Sequence, residues 1–245
     1  MIEFITGKIG GGKTLLALNM MLDDFEKGHR VETNIELNLD VISKHLWTKK
    51  GLRFYADQYR FHDFEENPDF HNHIHRGSRE HTVKIYIDEA QLYYNANDSR
   101  ELIKHAKQLI SFHTQSRKFG VDIRFITQDE GTVFSQLRKQ ALWKYECRDL
   151  RGVNLGWLMG SAPMLGLRWK KIDLGGSNQV LEKGKTKLDP NIFNMYETSQ
   201  CYDALAQSLM ETMPQFLPRK NKDRKISLFQ KLFRKPQPLK INNSL

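Results

Sequence analysis

The stretch Gly7-Lys8-Ile9-Gly10-Gly11-Gly12-Lys13-Thr14 decides the fold of this chain. It matches the pattern GxxxxGK(S/T), in which each residue type has a chemical task. The glycines let backbone N–H groups wrap phosphates, the lysine reaches the β and γ oxygens, and the threonine hydroxyl binds Mg²⁺. Such a match is meaningful where it follows a strand and opens a helix.

Both flanks of this loop have the required pattern. Ile2 to Thr6 is an apolar run that predicts a short strand, and Lys13 to Glu26 predicts a helix with one apolar side. We therefore expect ATP to bind at the junction between them. The residues expected to contact it are Gly7, Lys8, Gly10, Gly11, Gly12, Lys13, Thr14 and Leu15.

Strands alternate with helices farther along the chain. Val83 to Ile87 predicts a strand, Ser99 to Lys118 a long helix, and Val121 to Ile126 another strand. This alternation predicts an α/β fold of the P-loop NTPase type, a doubly wound and mainly parallel sheet with helices on both faces. Short apolar pieces between residues 142 and 182, separated by glycines, predict a small β-rich C-terminal edge.

Composition divides the chain into three parts. Residues 1–200 are expected to form the P-loop ATPase domain, interrupted at 38–81 by an irregular insertion rich in aromatic and charged residues. Residues 201–218 are expected to form a helical extension. Residues 219–245 form a basic tail, in which nine Lys and Arg accompany a single acid, Asp223.

Polar residues end two of the predicted strands. Asp88 and Glu89 end the strand before the long helix, and Gln128 ends the strand after it. Mg²⁺ needs a carboxylate beside Thr14, and Asp88 is the natural supplier. Glu89 is then placed to accept a proton from an attacking water, and Gln128 to orient that water. The alternative is that each is an ordinary polar residue at a strand end.

The chain carries 38 Lys and Arg against 29 Asp and Glu, a formal net charge of +9 and a pI near 9.4. This excess favours polyanionic partners such as nucleic acid or an acidic membrane face, or simply aids solubility. The two cysteines have no CxxC spacing, which argues against a disulfide framework or a zinc site. The longest apolar stretch, Leu155 to Leu167, is shorter than the ~20 residues that cross a bilayer, so we expect no transmembrane helix.

Several blocks of sequence occur together in a known family. They are Gly7–Thr14, Val31–Ile35, Ile85–Gln91, His113–Arg117 with Gly120–Ile123, Phe125–Gln128 and Tyr196–Thr198. In these blocks the chain resembles the zonula occludens toxin-like ATPases of filamentous phages, within the broader FtsK and HerA type of DNA-translocating and virion-packaging ATPases. The likeness covers most of residues 1–200.

The resemblance implies a role for each site residue. By this likeness Asp88 is the metal-binding acid, Glu89 the catalytic base and Gln128 a sensor, beside the phosphate-binding Lys13. These motors act with ATP and Mg²⁺, which are therefore the expected cofactors.

The resemblance also implies a ring-shaped homo-oligomer in which an arginine enters the neighbouring subunit's site. A guanidinium suits the spread charge of a transferring phosphoryl group. Arg138, which follows the sensor strand, is the first candidate, and Arg117 is the second.

Two features depart from the family pattern. Lys8, directly after the first glycine, also occurs in partition-type ATPases, which usually lack the paired acids. The phage relatives usually carry a transmembrane helix after the ATPase domain, and none is expected here. The primary hypothesis is an ATP-driven motor that moves phage DNA during virion assembly, either into a capsid or out through the envelope. The competing hypothesis is a non-motor P-loop switch for DNA partition or partner recruitment.

The basic tail bears on partners and location. As a helix it has an apolar side, which suits an anionic membrane, DNA or a capsid vertex protein; otherwise it is a solvated charge run. The expected partners are phage DNA and capsid vertex or host inner-membrane assembly proteins. We expect the chain in the bacterial host cytoplasm or on the virion, with peripheral inner-membrane contact through the tail.

Two further patterns leave alternatives open. The tract His71-Asn72-His73-Ile74-His75 places alternate histidines on one face of an extended strand, which suits a metal or a polar surface. The aromatic residues between 54 and 70, with Tyr93 and Tyr94, suit core packing or stacking on DNA bases.

Overall fold

Continuous burial marks the strands at the centre of the molecule. In a computed structural model, every residue of Ile2–Thr6 and Val83–Ile87 is buried, as is typical of parallel strands covered on both faces. The structure describes residues 1–63, 70–77, 81–96, 110–149, 167–186, 192 and 194–196. The predictions for residues 201–218 and 219–245 lie outside these ranges.

One eight-stranded sheet organises the described residues. Its strands are β1 (Ile2–Thr6), β2 (Arg30–Thr33), β3 (Tyr59–Phe61), β4 (Val83–Ile87), β5 (Val121–Thr127), β6 (Ala141–Asp149), β7 (Leu167–Asp173) and β8 (Val180–Thr186). They lie in the order β3-β2-β4-β5-β1-β6-β7-β8. The strands from β3 to β6 in this order pair in parallel, and β7 and β8 add an antiparallel edge. The predicted sheet with its β-rich C-terminal edge is confirmed.

The described helices are α1 (Lys13–Glu26), α2 (Leu39–Lys50) and the short α3 (Ser135–Arg138). Residues 110–115 are also helical and continue into a 3-10 turn at Ser116–Phe119. They belong to the helix predicted from Ser99 to Lys118, whose first half lies outside the described ranges. Among the described helices, none has the length and apolar character needed to span a bilayer.

The insertion at 38–81 is more regular than the sequence suggested. Asn38 caps α2 by accepting a hydrogen bond from a backbone N–H three residues on (3.2 Å), and Gly51 ends the helix in a left-handed conformation. β3 then pairs in parallel with β2. The segment 38–81 therefore contains two regular elements, α2 and β3, that the sequence did not predict. Only Ile42 and Leu46 of α2 are buried, so the helical periodicity is weak.

Two apolar layers cover the two faces of the sheet. One face packs under α1 and α2 through residues that include Ile5, Tyr86 and Ile126. The opposite face packs against Phe70 and Tyr94. Full burial of each large apolar side chain contributes about 1.5–3 kcal/mol. Phe70 and Tyr94 therefore belong to the core, which is one of the two roles open for these aromatic residues.

A buried cluster of charged side chains joins α1 to three strands. Arg124 on β5 donates from Nε to Glu3 Oε2 (2.6 Å) and from a terminal nitrogen to Asp24 Oδ2 (2.6 Å). The Tyr86 hydroxyl donates to the same Asp24 oxygen (2.6 Å). Burial alone would raise the pKa of Asp24, but the Arg124 charge and the Tyr86 hydrogen bond hold it below its usual value. The cluster thus ties the end of α1 to β1, β4 and β5.

We expect Arg124→Met to lower the free energy of unfolding by about 3–5 kcal/mol, because the buried carboxylates of Glu3 and Asp24 would lose the cation that they share. Urea denaturation at neutral pH measures this loss. The loss should shrink in acid, because the wild-type contribution of Asp24, whose folded pKa is lowered, disappears as pH falls through that pKa.

The matched control is Lys44→Met on the exposed side of α2, which should change stability by less than about 0.5 kcal/mol. If the two substitutions destabilise the chain equally, the Arg124 cluster does not hold α1 on the sheet.

Candidate active site

The phosphate loop lies between the carboxyl end of β1 and the first turn of α1. The Gly7 N–H donates to the carbonyl of Gln128 (3.4 Å), and the Gly11 N–H donates to the carbonyl of Lys8 (2.8 Å). Gly12 caps α1 with a φ of 83°, in the left-handed region that favours glycine. Backbone N–H groups at such a helix start form a site for anions such as phosphate.

Two glycines allow the loop to lie against the C-terminal strands. A Cβ at Gly7 would lie 2.7 Å from the Cys147 carbonyl oxygen on β6, and a Cβ at Gly12 would lie 2.5 Å from Leu167 Cδ1 on β7. A side chain at either position would force the loop away from these strands. The bare backbone leaves a cradle suited to the phosphates of a nucleotide.

Lys13 and Thr14 begin α1 and contact other residues of the candidate site. Lys13 is only 7% exposed, and its Nζ donates to the Lys8 carbonyl (3.3 Å), so the ammonium group lies across the loop. Thr14 Oγ1 donates to Asp88 Oδ2 (3.1 Å), which places two oxygen atoms of the kind that Mg²⁺ prefers side by side. The side chain of Lys8 is exposed, and that of Leu15 is buried in the core.

Asn34 holds the main chain of Asp88. The Asp88 N–H donates to Asn34 Oδ1 (2.7 Å), and the Asp88 carbonyl accepts from Asn34 Nδ2 (3.0 Å). The amide therefore extends the pairing of β2 and β4 by one position. Burial, and then the Glu89 carboxylate, raises the pKa of Asp88 to about 6. A cation between Asp88 and Thr14 would stabilise the ionised carboxylate.

Glu89 combines a rare backbone conformation with a restrained side chain. Its φ of 48° and ψ of 45° are left-handed, which costs a residue other than glycine about 1–3 kcal/mol. Its carboxylate accepts a hydrogen bond from Gln91 Nε2. Gln91 Oε1 accepts in turn from Thr127 Oγ1 (2.7 Å). Gln91 therefore links Glu89 to the end of β5.

Asn34 and Gln91 are not among the residues that the sequence predicts for the site. Each lies at the edge of the sheet where the parallel strands end. That position is the one feature of the sequence that could have indicated a role in the site. Asn34 directly follows β2, and Gln91 lies two residues after Glu89. Neither position shows from sequence alone that its amide contacts the acid pair.

Gln128 directly follows β5, which separates β1 from β4 in the sheet. It therefore lies between the phosphate loop and Asp88, as its strand-end position suggested. Its side chain is exposed, and its carbonyl bonds the Gly7 N–H. Its task as a sensor stays a prediction.

The two candidate arginines lie near the amino ends of the parallel strands, whereas the phosphate loop lies at their carboxyl ends. Arg117 shortly precedes β5, and Arg138 ends α3 just before β6. β6 pairs with β1 from Ala141 opposite Ile2, at the amino ends of both strands. Neither arginine therefore lies beside the phosphate loop of its own chain, and a role in a neighbouring subunit's site stays a prediction.

The histidine tract contributes to a buried contact. His75 Nδ1 lies 2.9 Å from Glu32 Oε1, and His62 Nε2 lies 2.6 Å from Glu32 Oε2. Despite burial, which alone would raise it, these histidines hold the pKa of Glu32 below its usual value. Within the described ranges, no group of three or more His, Cys, Asp or Glu residues is arranged to hold a metal ion. The described part of the tract thus ties the insertion to β2.

Comparison with known proteins identifies related chains. The family model described as zonular occludens toxin (Zot) matches residues 1–202. The gene 1 protein of Enterobacteria phage fd is 26% identical over 225 residues, which cover 83% of this chain and 60% of that protein. The gene 1 protein of Enterobacteria phage I2-2 is 28% identical over 234 residues, with 89% and 60% covered. The chain therefore spans 60% of the length of these curated relatives.

A solved structure has the same fold. The N-terminal domain of zonular occludens toxin from Neisseria meningitidis superposes with a TM-score of 0.50 at 21% identity, and the match covers 80% of this chain and 98% of that one. Its likeness supports the sheet and loop described above. Because the family model spans residues 1–202 of the 245, the chain belongs to the zonular occludens toxin (Zot) family.

Proposed function

We propose that this chain hydrolyses ATP and that the hydrolysis drives the assembly of a phage particle. The observation that carries the proposal is the hydrogen bond from Thr14 to Asp88, directly beside Glu89. The bond brings together the phosphate loop, two oxygen ligands for a cation and a second acid, Glu89, at the edge where the parallel strands end. The gene 1 proteins that the chain resembles belong to filamentous phages, which supports the assembly role.

The proposed reaction assigns one task to each group. Loop N–H groups and Lys13 hold the β and γ phosphates of ATP. Thr14 and Asp88 would hold Mg²⁺, which when bound neutralises charge on the phosphate oxygens. Glu89 accepts a proton from water as the water oxygen bonds to the γ phosphorus and the bond to the ADP oxygen breaks.

The finer proposal is a motor that moves phage DNA. A ring of subunits in which Arg138, or else Arg117, enters the neighbouring site would couple hydrolysis around the ring. The net charge of +9 suits a DNA partner. Similarity to proteins of filamentous phages supports extrusion through the envelope more than the filling of a capsid.

The competing proposal is a P-loop switch that binds ATP to recruit partners or partition DNA. Its one positive sign is Lys8, whose side chain is exposed beside the loop. The hydrogen bond from Gln91 to Glu89 favours hydrolysis instead, because a switch that only binds has no need to hold a base. Turnover that ignores DNA, together with dimerisation on ATP binding, would favour the switch.

We expect Lys13→Ala to abolish ATP binding and Glu89→Gln to keep ATP binding while lowering turnover by about 10²–10⁴-fold. Lys13 contacts the phosphates in every state, whereas a general base acts only during the proton transfer. Phosphate release, with and without DNA, measures turnover, and a fluorescent ATP analogue measures binding.

The matched control is Glu26→Gln, which removes the ion pair between half-buried Glu26 at the end of α1 and exposed Lys50 at the end of α2, and should leave turnover unchanged. Wild-type protein that releases no phosphate with any DNA and in any oligomeric state would contradict the ATPase proposal. Equal turnover in Glu89→Gln would contradict the role of Glu89.

We expect Gln91→Ala to lower kcat about tenfold while KM for ATP and Tm stay unchanged. A tenfold loss corresponds to about 1.4 kcal/mol, the scale of one lost positioning contact. Gln91 is a positioning residue, because it acts through Glu89 rather than on the substrate. Steady-state kinetics measure kcat and KM, and thermal unfolding measures Tm. Thr127→Val, which removes the hydroxyl that bonds Gln91, should also lower kcat.

Gln136→Ala is the matched control, because Gln136 is exposed on α3 and far along the chain from the acid pair. If Gln91→Ala and Gln136→Ala have the same kcat, Gln91 does not position Glu89.

A further inference from the structure

The antiparallel edge of the sheet places cations opposite cations. Arg168 on β7 lies opposite Arg148 on β6 and opposite Lys185 on β8. Two residues farther along β7, Lys170 lies opposite Lys183 on β8. These five side chains form what we name the basic face.

All five side chains of the basic face are exposed. Side chains alternate between the faces of a strand, so their neighbours in sequence point the other way. Cys147 and Leu167, which alternate with Arg148 and Arg168, are buried. Glu146, which lies opposite Lys170 and is half-buried, shares the basic face.

Opposed like charges make this arrangement costly. Directly opposite residues in antiparallel strands have Cβ atoms about 4.5–5.5 Å apart, and like charges there destabilise the pairing. On the other face of the same strands, Lys171 lies opposite Glu182, and its Nζ lies 3.6 Å from the centre of the Trp143 ring. Lys171 therefore lies between an acid and an aromatic ring, whereas on the basic face Arg168 lies between Arg148 and Lys185.

Protection of the sheet edge does not account for the basic face. Lysines on an outermost strand discourage pairing with other chains, which explains Lys183 and Lys185 on β8. Arg148 and Arg168 lie on strands β6 and β7, each of which is paired on both sides. Edge protection therefore does not explain why exposed cations lie side by side across β6, β7 and β8.

We propose that the basic face binds the phosphate backbone of a nucleic acid. Neighbouring strands lie about 4.8 Å apart and alternate residues about 6.6–6.8 Å apart, so the five cations form a compact two-row array that meets several phosphates at once. Guanidinium groups bind phosphate oxygens in a two-pronged manner, and bound phosphates remove the repulsion between rows. A row of cationic side chains suits contact with the phosphate backbone, which fixes position, rather than with the bases.

The basic face lies on the strands that contact the phosphate loop. Leu167 abuts Gly12, and Cys147 abuts Gly7, while the next residues along, Arg168 and Arg148, belong to the basic face. A nucleic acid on this face is therefore one sheet thickness from the loop. Coupling of the two sites rests on the proposed function, whereas binding at the face does not.

The test measures the affinity of the full chain for a labelled single-stranded oligonucleotide and its duplex by fluorescence anisotropy over a salt series. Arg168→Glu with Lys170→Glu should raise Kd at least tenfold at low salt. The slope of log K against log salt should become less steep by about 0.7 per lost contact with a single strand and about 0.9 with a duplex. The arm with the larger loss identifies the strandedness of the ligand.

The matched control is Lys44→Glu with Lys49→Glu on α2, which changes the net charge equally on exposed side chains elsewhere. Should the charge-reversed pair fail to fold by circular dichroism, Arg168→Gln with Lys170→Gln replaces it. Equal affinity of the reversed pair and the control would overturn the proposal. So would intact nucleic-acid binding with lost binding to phosphatidylglycerol vesicles, which would identify a membrane surface instead.

Phosphate release by the wild type separates this proposal from the function above. If the wild type hydrolyses ATP and the Arg168→Glu, Lys170→Glu variant binds nucleic acid as the wild type does, only the proposal for the basic face is overturned. Binding that depends on the basic face, in a wild-type chain that hydrolyses no ATP, overturns the ATPase proposal alone.

Discussion

The hydrogen bond between Thr14 and Asp88 crosses the width of one strand. Thr14 follows β1 and Asp88 follows β4, and β5 lies between those two strands. The bond forms only because all three strands run in parallel and end at the same edge. The position of Gln128, the Gln91 link to Thr127 and the Asn34 brace on Asp88 all depend on this common edge. Parallel pairing is thus the constraint from which the candidate chemistry follows.

The sequence predicted the bounds of the elements whose burial is nearly complete, and it missed α2 and β3, whose burial is partial. β1, β4 and β5 are nearly continuous apolar runs, and α1 presents one apolar side, so each was predicted close to its bounds. In contrast, α2 buries two residues and β3 none completely, which leaves little periodic signal. Among site residues, those in the loop and acid pair follow from spacing. Gln91 and Asn34 do not, because their contacts depend on strand order.

Buried and exposed charges follow different rules in this chain. Two interior cations have acids beside them: Arg124 bonds Glu3 and Asp24, and Lys84 bonds Asp122. Burial alone would raise the pKa of Asp122, but hydrogen bonds from Lys84 and His81 lower it to about 2. On the basic face, cations lie beside cations. Pairs of opposite charge in the interior stabilise the fold, whereas the opposed exposed cations suit a polyanionic partner.

The contacts of the phosphate loop with β6 and β7 also have a consequence for the order of folding. Gly7 and Gly12 lie near the start of the chain, and the walls they touch, Cys147 and Leu167, come more than 130 residues later. Contacts between such distant segments form late, because the intervening chain must first be ordered. During synthesis, the loop therefore reaches its final shape only after the C-terminal strands have left the ribosome. A nascent chain that ends before β6 has the complete motif but lacks the surface that shapes it.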